Sequence, residues 1–211
     1  MLKNDLQKMC EKTISSFSEK GEKPRLLLHA CCAPCSSYVT EYLIDAFDLT
    51  LYFYNPNISP ADEFEKRYLE LKRFVHERFD DAIPIICPPW NGNEFSKMIV
   101  GTENAPEGGE RCRICYRLRL ESTAAAASAL GFPLFCTTLS VSPYKNAEAL
   151  YLIGTEVGEK YGVTYLPSDF KKKDGYKKSI EYSRQYSLYR QNFCGCSFSK
   201  SEADKKLKVN F

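Results

Sequence analysis

The sequence predicts a single α/β domain, a mostly parallel sheet with helices on both faces. Three observations carry that expectation. Short apolar runs alternate with amphipathic stretches of helical length, capping and turn signals separate them, and 211 residues at 44% apolar content can bury one ample core.

Residues 2–18 read as an amphipathic helix, and "EKGEKP" as the turn that ends it. "RLLLH", Arg25 to His29, reads as a short buried strand, with a helix expected to begin near Cys35 or Ser36. "LTLYFYNPNI" is a second strand stopped by Pro56. The helix after it, "SPADEFEKRYLELKRFVHERF", should take Ser59 as N-cap and Pro60 at its first position, with acidic residues in the first turn. "AIPIICPPW" is a third strand candidate, "NEFSKMIV" a short helix and "GTENAPEGGE" a loop. "RCRICYRLRLESTAAAASALG" makes a long helix stopped by Gly131, "PLFCTTLSV" a strand, "SPYKNAEALYLIGTEVGEKYG" a capped helix and "VTYLPSDF" a last strand. In such sheets ligands bind beyond the carboxyl ends of the strands. The segments carrying Cys31, Asn55, Cys87 and Thr138 all fall at such ends, so they should converge.

No apolar run approaches the roughly 20 residues of a membrane span, and "MLKNDLQKMCEKT" lacks an apolar signal core. The expectation is a soluble cytoplasmic protein with no membrane partner. Formal charge is +2, unevenly spread: 12 Lys and Arg stand against 16 Asp and Glu over residues 1–105, and 17 against 11 over 106–211. The excess collects in residues 168–211, a solvated surface or a contact for a phosphate backbone.

Ten cysteines are the strongest compositional signal. A reducing cytosol disfavours a disulfide framework, so metal or redox work is expected. Cys10, Cys87 and Cys136 stand alone and read as small buried apolar residues. Cys31, Cys32 and Cys35 lie at a strand end, and Cys112 and Cys115 form a C-x-x-C at a helix start. Two thiolates from each group would suffice for tetrahedral zinc or for a cubane of iron and sulfide; spacing leaves both open, although the adjacent Cys31–Cys32 pair suits the bulkier centre. Both groups sit at predicted helix starts, where N–H groups and the helix dipole favour thiolate. Cys194 and Cys196, in "FCGCS", are too close to clamp a mononuclear ion comfortably and read as a two-electron dithiol.

A strand–loop–helix in this position ordinarily cradles phosphate, yet cysteines occupy the place of a Gly-rich loop, which argues against nucleotide-triphosphate hydrolysis. Asn55, Asn57, Thr137, Thr138, Ser140, Ser142 and Lys145 are polar candidates for holding a nucleoside or a phosphate, with capping and turn duty as their ordinary job. His29 directly precedes the cysteine group and is a candidate for catalysis.

Taken in order, "HACCAPC", "FYNPNI", "RCRICYRLRL", "TTLSVSPYKN" and "LYRQNFCGCSFS" resemble the epoxyqueuosine reductase QueH family over about residues 25–198. The resemblance implies a nucleotide-binding HUP-type fold and a cobalamin-independent enzyme. Its reaction would reduce the epoxide of epoxyqueuosine in tRNA to queuosine, the last step in making this wobble nucleoside. It further implies a 4Fe-4S cluster on Cys31, Cys32, Cys112 and Cys115, a redox-active Cys194–Cys196 disulfide, an additional iron ion beside the cluster, and an external electron donor. Some members carry an acidic residue where this chain has Cys35, which is expected to serve that second metal or the substrate. On this reading residues 1–24 are a helical extension, 25–198 the α/β iron-sulfur reductase domain and 199–211 a charged tail. Lys171, Lys172, Lys173, Lys177, Lys178, Arg184 and Arg190, interleaved with Tyr176, Tyr182, Tyr186 and Tyr189, would supply charge and stacking for an anticodon loop, some of the tyrosines packing in the core instead. Two other readings compete. A tRNA sulfurtransferase would need nucleotide activation, and a zinc-stabilised RNA-binding module leaves the Cys194/Cys196 pair without a job.

Overall fold

The structure, a computed structural model, describes residues 5–209, with side chains as far as 205. Positions 2–4 of the first predicted helix and 210–211 of the predicted tail lie outside the described residues. Five strands, β1 Arg25–His29, β2 Asp48–Tyr52, β3 Ile85–Ile86, β4 Leu134–Thr137 and β5 Thr164–Tyr165, form one sheet in the order β3-β2-β1-β4-β5. Every pairing is parallel. The chain winds outward from β1 to β3, then crosses to the other side for β4 and β5, so its connections diverge between β1 and β4. Register aligns the strand ends there: His29 faces Tyr52 on one side and Thr137 on the other.

Side-chain alternation along the strands builds two apolar layers. Leu26, Leu28, Leu49, Leu51, Leu134 and Cys136 point to one face, where Cys10, Val39, Leu43, Leu71 and Phe74 cover them from α1 (Leu6–Glu19), α2 (Ala33–Leu43) and α3 (Ala61–Phe79). Leu27, Tyr52, Phe135 and Tyr165 point to the other, against Leu120, Ala124, Leu150 and Val157. After the short α4 (Gly92–Met98), those partners belong to α5 (Glu110–Ala129) and α6 (Ala147–Tyr161). Both faces are therefore sealed. Truncating Leu28, which is fully buried, to Ala would cost about 2–5 kcal/mol.

Several boundaries differ from the sequence expectation. The second helix starts at Ala33, two residues early, because Pro34 fits the first turn and Cys32 takes the extended cap position; Cys35 thus lies inside the helix. Ser59 is not the cap of α3. Pro60 holds that place without a side-chain cap bond, and the Ser59 N–H donates instead to the Gly195 carbonyl at 3.0 Å. The fourth strand stops at Thr137, whose hydroxyl accepts from the Leu139 N–H and turns residues Thr138–Val141 into a 3-10 turn. Helix α6 begins only at Ala147, capped by the Asn146 side chain.

Two helices had no counterpart in the sequence reading: α7 (Gly175–Gln185) and α8 (Ser197–Val209), in the basic stretch. Helix α7 packs closely on α2. A Cβ on Gly175 would meet the Phe170 carbonyl oxygen at 1.8 Å, so only glycine admits that approach.

Candidate active site

The loop after β1 delivers Cys31 and Cys32, and the first turn of α2 delivers Cys35. Their three sulfurs lie within 4.8 Å of one another, and the Cys31 and Cys32 sulfurs are 3.8 Å apart. Three soft donors at that separation can share one ion. Thr138, on the turn after β4, accepts from the Cys31 N–H at 3.2 Å and donates to the Cys31 sulfur at 3.4 Å. Mutual hydrogen bonds divide the protons among the three. Those from Cys31 and Cys35 hold Cys32 well below the usual thiol range, while Cys35 is pushed well above it.

Helix α5 brings the second pair. Cys112 packs with Cys31 and Cys32, and its sulfur accepts from the Gly108 N–H at 3.2 Å. Cys115, one turn on, packs instead with Phe95, Ile99 and Cys196. Burial pushes its thiol up to about 11. The third group arrives on the turn before α8. A hydrogen bond with Cys196, then the charges of Lys145 and Arg119, hold Cys194 well below the thiol range against the opposing effect of burial; the same bond, with burial, raises Cys196. No disulfide joins Cys194 and Cys196 in this structure.

These groups meet at the carboxyl end of the sheet, on the crevice between β1 and β4. A cavity of about 470 Å³ opens there, with Cys31, Cys32, Cys35, Cys194, Lys145 and Arg119 in its walls. The Lys145 ammonium is buried and reaches Glu107 at 3.4 Å; burial opposes its charge, but Cys194, Tyr116, Glu107 and Cys112 raise its pKa above the ordinary lysine value. Tyr144 beside it is 71% exposed at the rim.

His29 is wholly buried, between the Thr137 hydroxyl at 2.9 Å and the Tyr54 carbonyl at 3.1 Å. Burial, then Arg119, pushes its pKa down to about 3, so it stays neutral and serves as a fixed strut rather than a proton carrier. Asn55 donates to the Ala30 carbonyl at 2.9 Å and accepts from Arg119 at 2.6 Å. Asn57 is buried with both amide atoms unpartnered. Of the lone cysteines, Cys10 and Cys136 are core residues on the opposite side of the sheet, and Cys87 is half-buried with its sulfur 3.7 Å from the Pro88 carbonyl.

The family profile described as Epoxyqueuosine reductase QueH matches residues 26–202. Proteins of that name from Streptococcus pyogenes serotype M1 and Staphylococcus epidermidis are each 40% identical to this chain, over 186 and 202 residues, covering 87% and 93% of it and 73% and 85% of their own lengths. One from Thermotoga maritima is 35% identical over 184 residues, 86% of this chain and 93% of its own. The chain belongs to the epoxyqueuosine reductase QueH family. It is accordingly an oxidoreductase.

In this QueH family member two arginines organise the site that the sequence reading passed over. Arg67, 2% exposed on α3, pairs with Glu63 at 2.6 Å and donates to the Cys194 carbonyl at 3.1 Å. With the Ser59 N–H it latches the Cys194–Cys196 turn against "NPNI". Gly195 is what lets that turn fit: its φ is +123°, and a Cβ would stand 2.9 Å from Ile58 and 3.1 Å from Arg67. Arg119 follows Cys115 by four residues on α5, and that spacing was its only sequence signal.

The basic stretch is less of a free patch than its composition suggests. Lys171 pairs with Asp169 and Lys173 with Glu11. Tyr182 and Tyr186 pack against the core, and Tyr189 donates to Glu63 at 3.1 Å. Tyr176 and Arg190 line the cavity.

Proposed function

We propose that this chain reduces the epoxide of epoxyqueuosine in tRNA to queuosine. The observation that carries the reading is one cavity whose walls include both Cys31, Cys32 and Cys35 and the dithiol residue Cys194, in a member of a family whose relatives carry that activity in their name. The reduction removes one oxygen as water and consumes two electrons and two protons. The Cys194–Cys196 pair closing to a disulfide supplies both electrons and, with Cys194 as thiolate, the one proton of Cys196; the second proton is drawn from solvent, and an external reductant must then reopen the disulfide.

Cys31, Cys32, Cys112 and Cys115 would hold a 4Fe-4S cluster, with Cys35 facing an additional iron. All the donors are soft thiols, and N–H and O–H donors already face the sulfurs of Cys112 and Cys31. When bound, such a centre supplies single electrons and a Lewis acid for C–O cleavage. The chain's own groups do the rest. Cys194, the thiol favoured as thiolate, faces the cavity, while Cys196 behind it keeps its proton. Lys145 presents an ammonium where an oxygen leaving as water needs a hydrogen-bond donor. The concave walls exclude bulk water from a flipped-out nucleoside.

Anaerobically purified protein tests this. Iron, acid-labile sulfide and zinc are measured first, and then conversion of epoxyqueuosine tRNA is followed by mass spectrometry of the digested nucleosides. Cys194→Ser should abolish multiple turnover and leave metal and sulfide content unchanged. Full activity in that variant removes the dithiol from the reaction, and zinc without sulfide in the wild type removes the cluster.

A further inference from the structure

Among the described residues three arginines are deeply buried: Arg67, Arg111 and Arg119. Arg67 has Glu63 at 2.6 Å and Arg111 has Glu202 at 3.7 Å. No carboxylate among the described residues lies within ion-pair distance of Arg119. The residue is 3% exposed, and its guanidinium reaches His29 Nε2 at 3.3 Å, Asn55 Oδ1 at 2.6 Å and the Cys115 sulfur at 3.9 Å. Neither the imidazole, whose Nε2 also faces the Tyr54 carbonyl at 3.1 Å, nor the amide carries a negative charge. Of its three partners, only the sulfur can carry a negative charge.

A buried guanidinium without a counter-charge is strongly disfavoured, and an anion beside it offsets that cost. The groups around Arg119 that can become anionic are the sulfurs of Cys115, Cys31 and Cys194. Two come from groups far apart in sequence, the loop after β1 and the start of α5, and Arg119 reaches them from the next turn of α5. His29 and Asn55 fix the guanidinium from the other side, so its place is set by the sheet and not by the sulfurs.

We propose that Arg119 is the built-in counter-ion of the sulfur centre held by Cys31, Cys32, Cys112 and Cys115, a positioning residue whose charge makes that centre easier to reduce. The proposal rests on the iron-sulfur reading of those cysteines. A cluster with four thiolates is anionic and gains a further negative charge with each electron. A fixed cation against the sulfurs stabilises the reduced state more than the oxidised one, and net charge and hydrogen bonds to sulfur are what set such potentials.

The test compares wild type, Arg119→Met and Arg119→Lys, each purified without oxygen. Iron and sulfide content are measured alongside a reductive titration followed by visible absorption and electron paramagnetic resonance. At the potential where half of the wild-type centre is reduced, the reduced-to-oxidised ratio in Arg119→Met should fall about tenfold, a shift of about 59 mV for one electron. Arg119→Lys keeps the charge and should recover most of it. A Met variant with full iron and an unchanged potential overturns the proposal. So does equal loss of iron in the Met and Lys variants, which would assign Arg119 to packing. Loss of iron in Met alone supports the counter-ion. Wild-type protein without acid-labile sulfide fails the cluster reading itself, a result separate from any difference among the variants.

Discussion

His29 and Gly195 show how single residues hold this site. The His29 ring is neutral in the folded chain with a pKa near 3, against an ordinary value near 6.5. Between those values the unfolded chain binds a proton that the folded chain refuses. Stability from this group is therefore complete above about pH 6.5 and falls by about 1.4 kcal/mol per pH unit below it. Urea unfolding midpoints measured from pH 7 to pH 4 should drop steeply, and His29→Gln should flatten the slope; an equal slope in both would assign the acid sensitivity elsewhere. At Gly195 a side chain meets both an unfavourable φ and the Ile58 and Arg67 side chains. Gly195→Ala should cost about 1–3 kcal/mol by chemical denaturation and lower turnover by displacing the cysteines that flank it.

At the scale of elements, what α3 does for the C-terminal turn is the least obvious part of the design. Arg67 stands 127 positions before Cys194 in sequence, yet it holds the Cys194 carbonyl and lies over the Phe193 ring at 4.9 Å. Arg67→Met should leave metal content intact, increase the rate at which Cys194 reacts with iodoacetamide and reduce turnover at least tenfold; unchanged alkylation would show that the turn does not depend on this latch. The contrast between cysteines and arginines explains what was legible in the sequence. Cysteine type and spacing announced the three sulfur groups. Arg67 and Arg119 sit on helices rich in Lys, Arg and Glu, where an arginine reads as solvated surface until the sheet and the opposing loops bury it. Helices α3 and α6 were readable because their apolar periodicity is long and bounded by proline, asparagine or glycine, and α5 because a long helix-forming run with four consecutive alanines ends at Gly131. Helix α7 was not, being short and polar and held by its contact with α2, and α8 follows the cysteine turn with almost no apolar stripe of its own. The starts of α2 and α3 slipped because Cys32 and Pro60 took cap positions that composition assigns to serine.

For the molecule as a whole, the parallel sheet was legible from the alternation of strands and helices, and the strand order then places the site without further information. Sequence position alone could not show that the basic stretch would fold partly back on the core. Tyr176, Ser179 and Arg190 of that stretch still line the cavity. Lys171 is held to the buried Asp169, whereas the Lys173–Glu11 pair is largely exposed and weak enough to exchange for phosphate. Replacing Lys171, Lys172 and Lys173 with Ala should lower the salt dependence of tRNA affinity, its log–log slope falling by about 2. An unchanged slope would move the RNA contact to another surface.

The partners in this site are far apart along the chain. Cys31 meets Thr138 across 107 positions, and Arg67 meets the Cys194 carbonyl across 127. Loops of that length close late, because their entropy is lost before any contact repays it, and parallel sheets are slow to assemble for the same reason. During that interval ten thiols are present without their native neighbours, free to pair wrongly with one another. Refolding from denaturant should thus give native yield only under reductant, and the yield lost to oxidant should depend on how long folding takes.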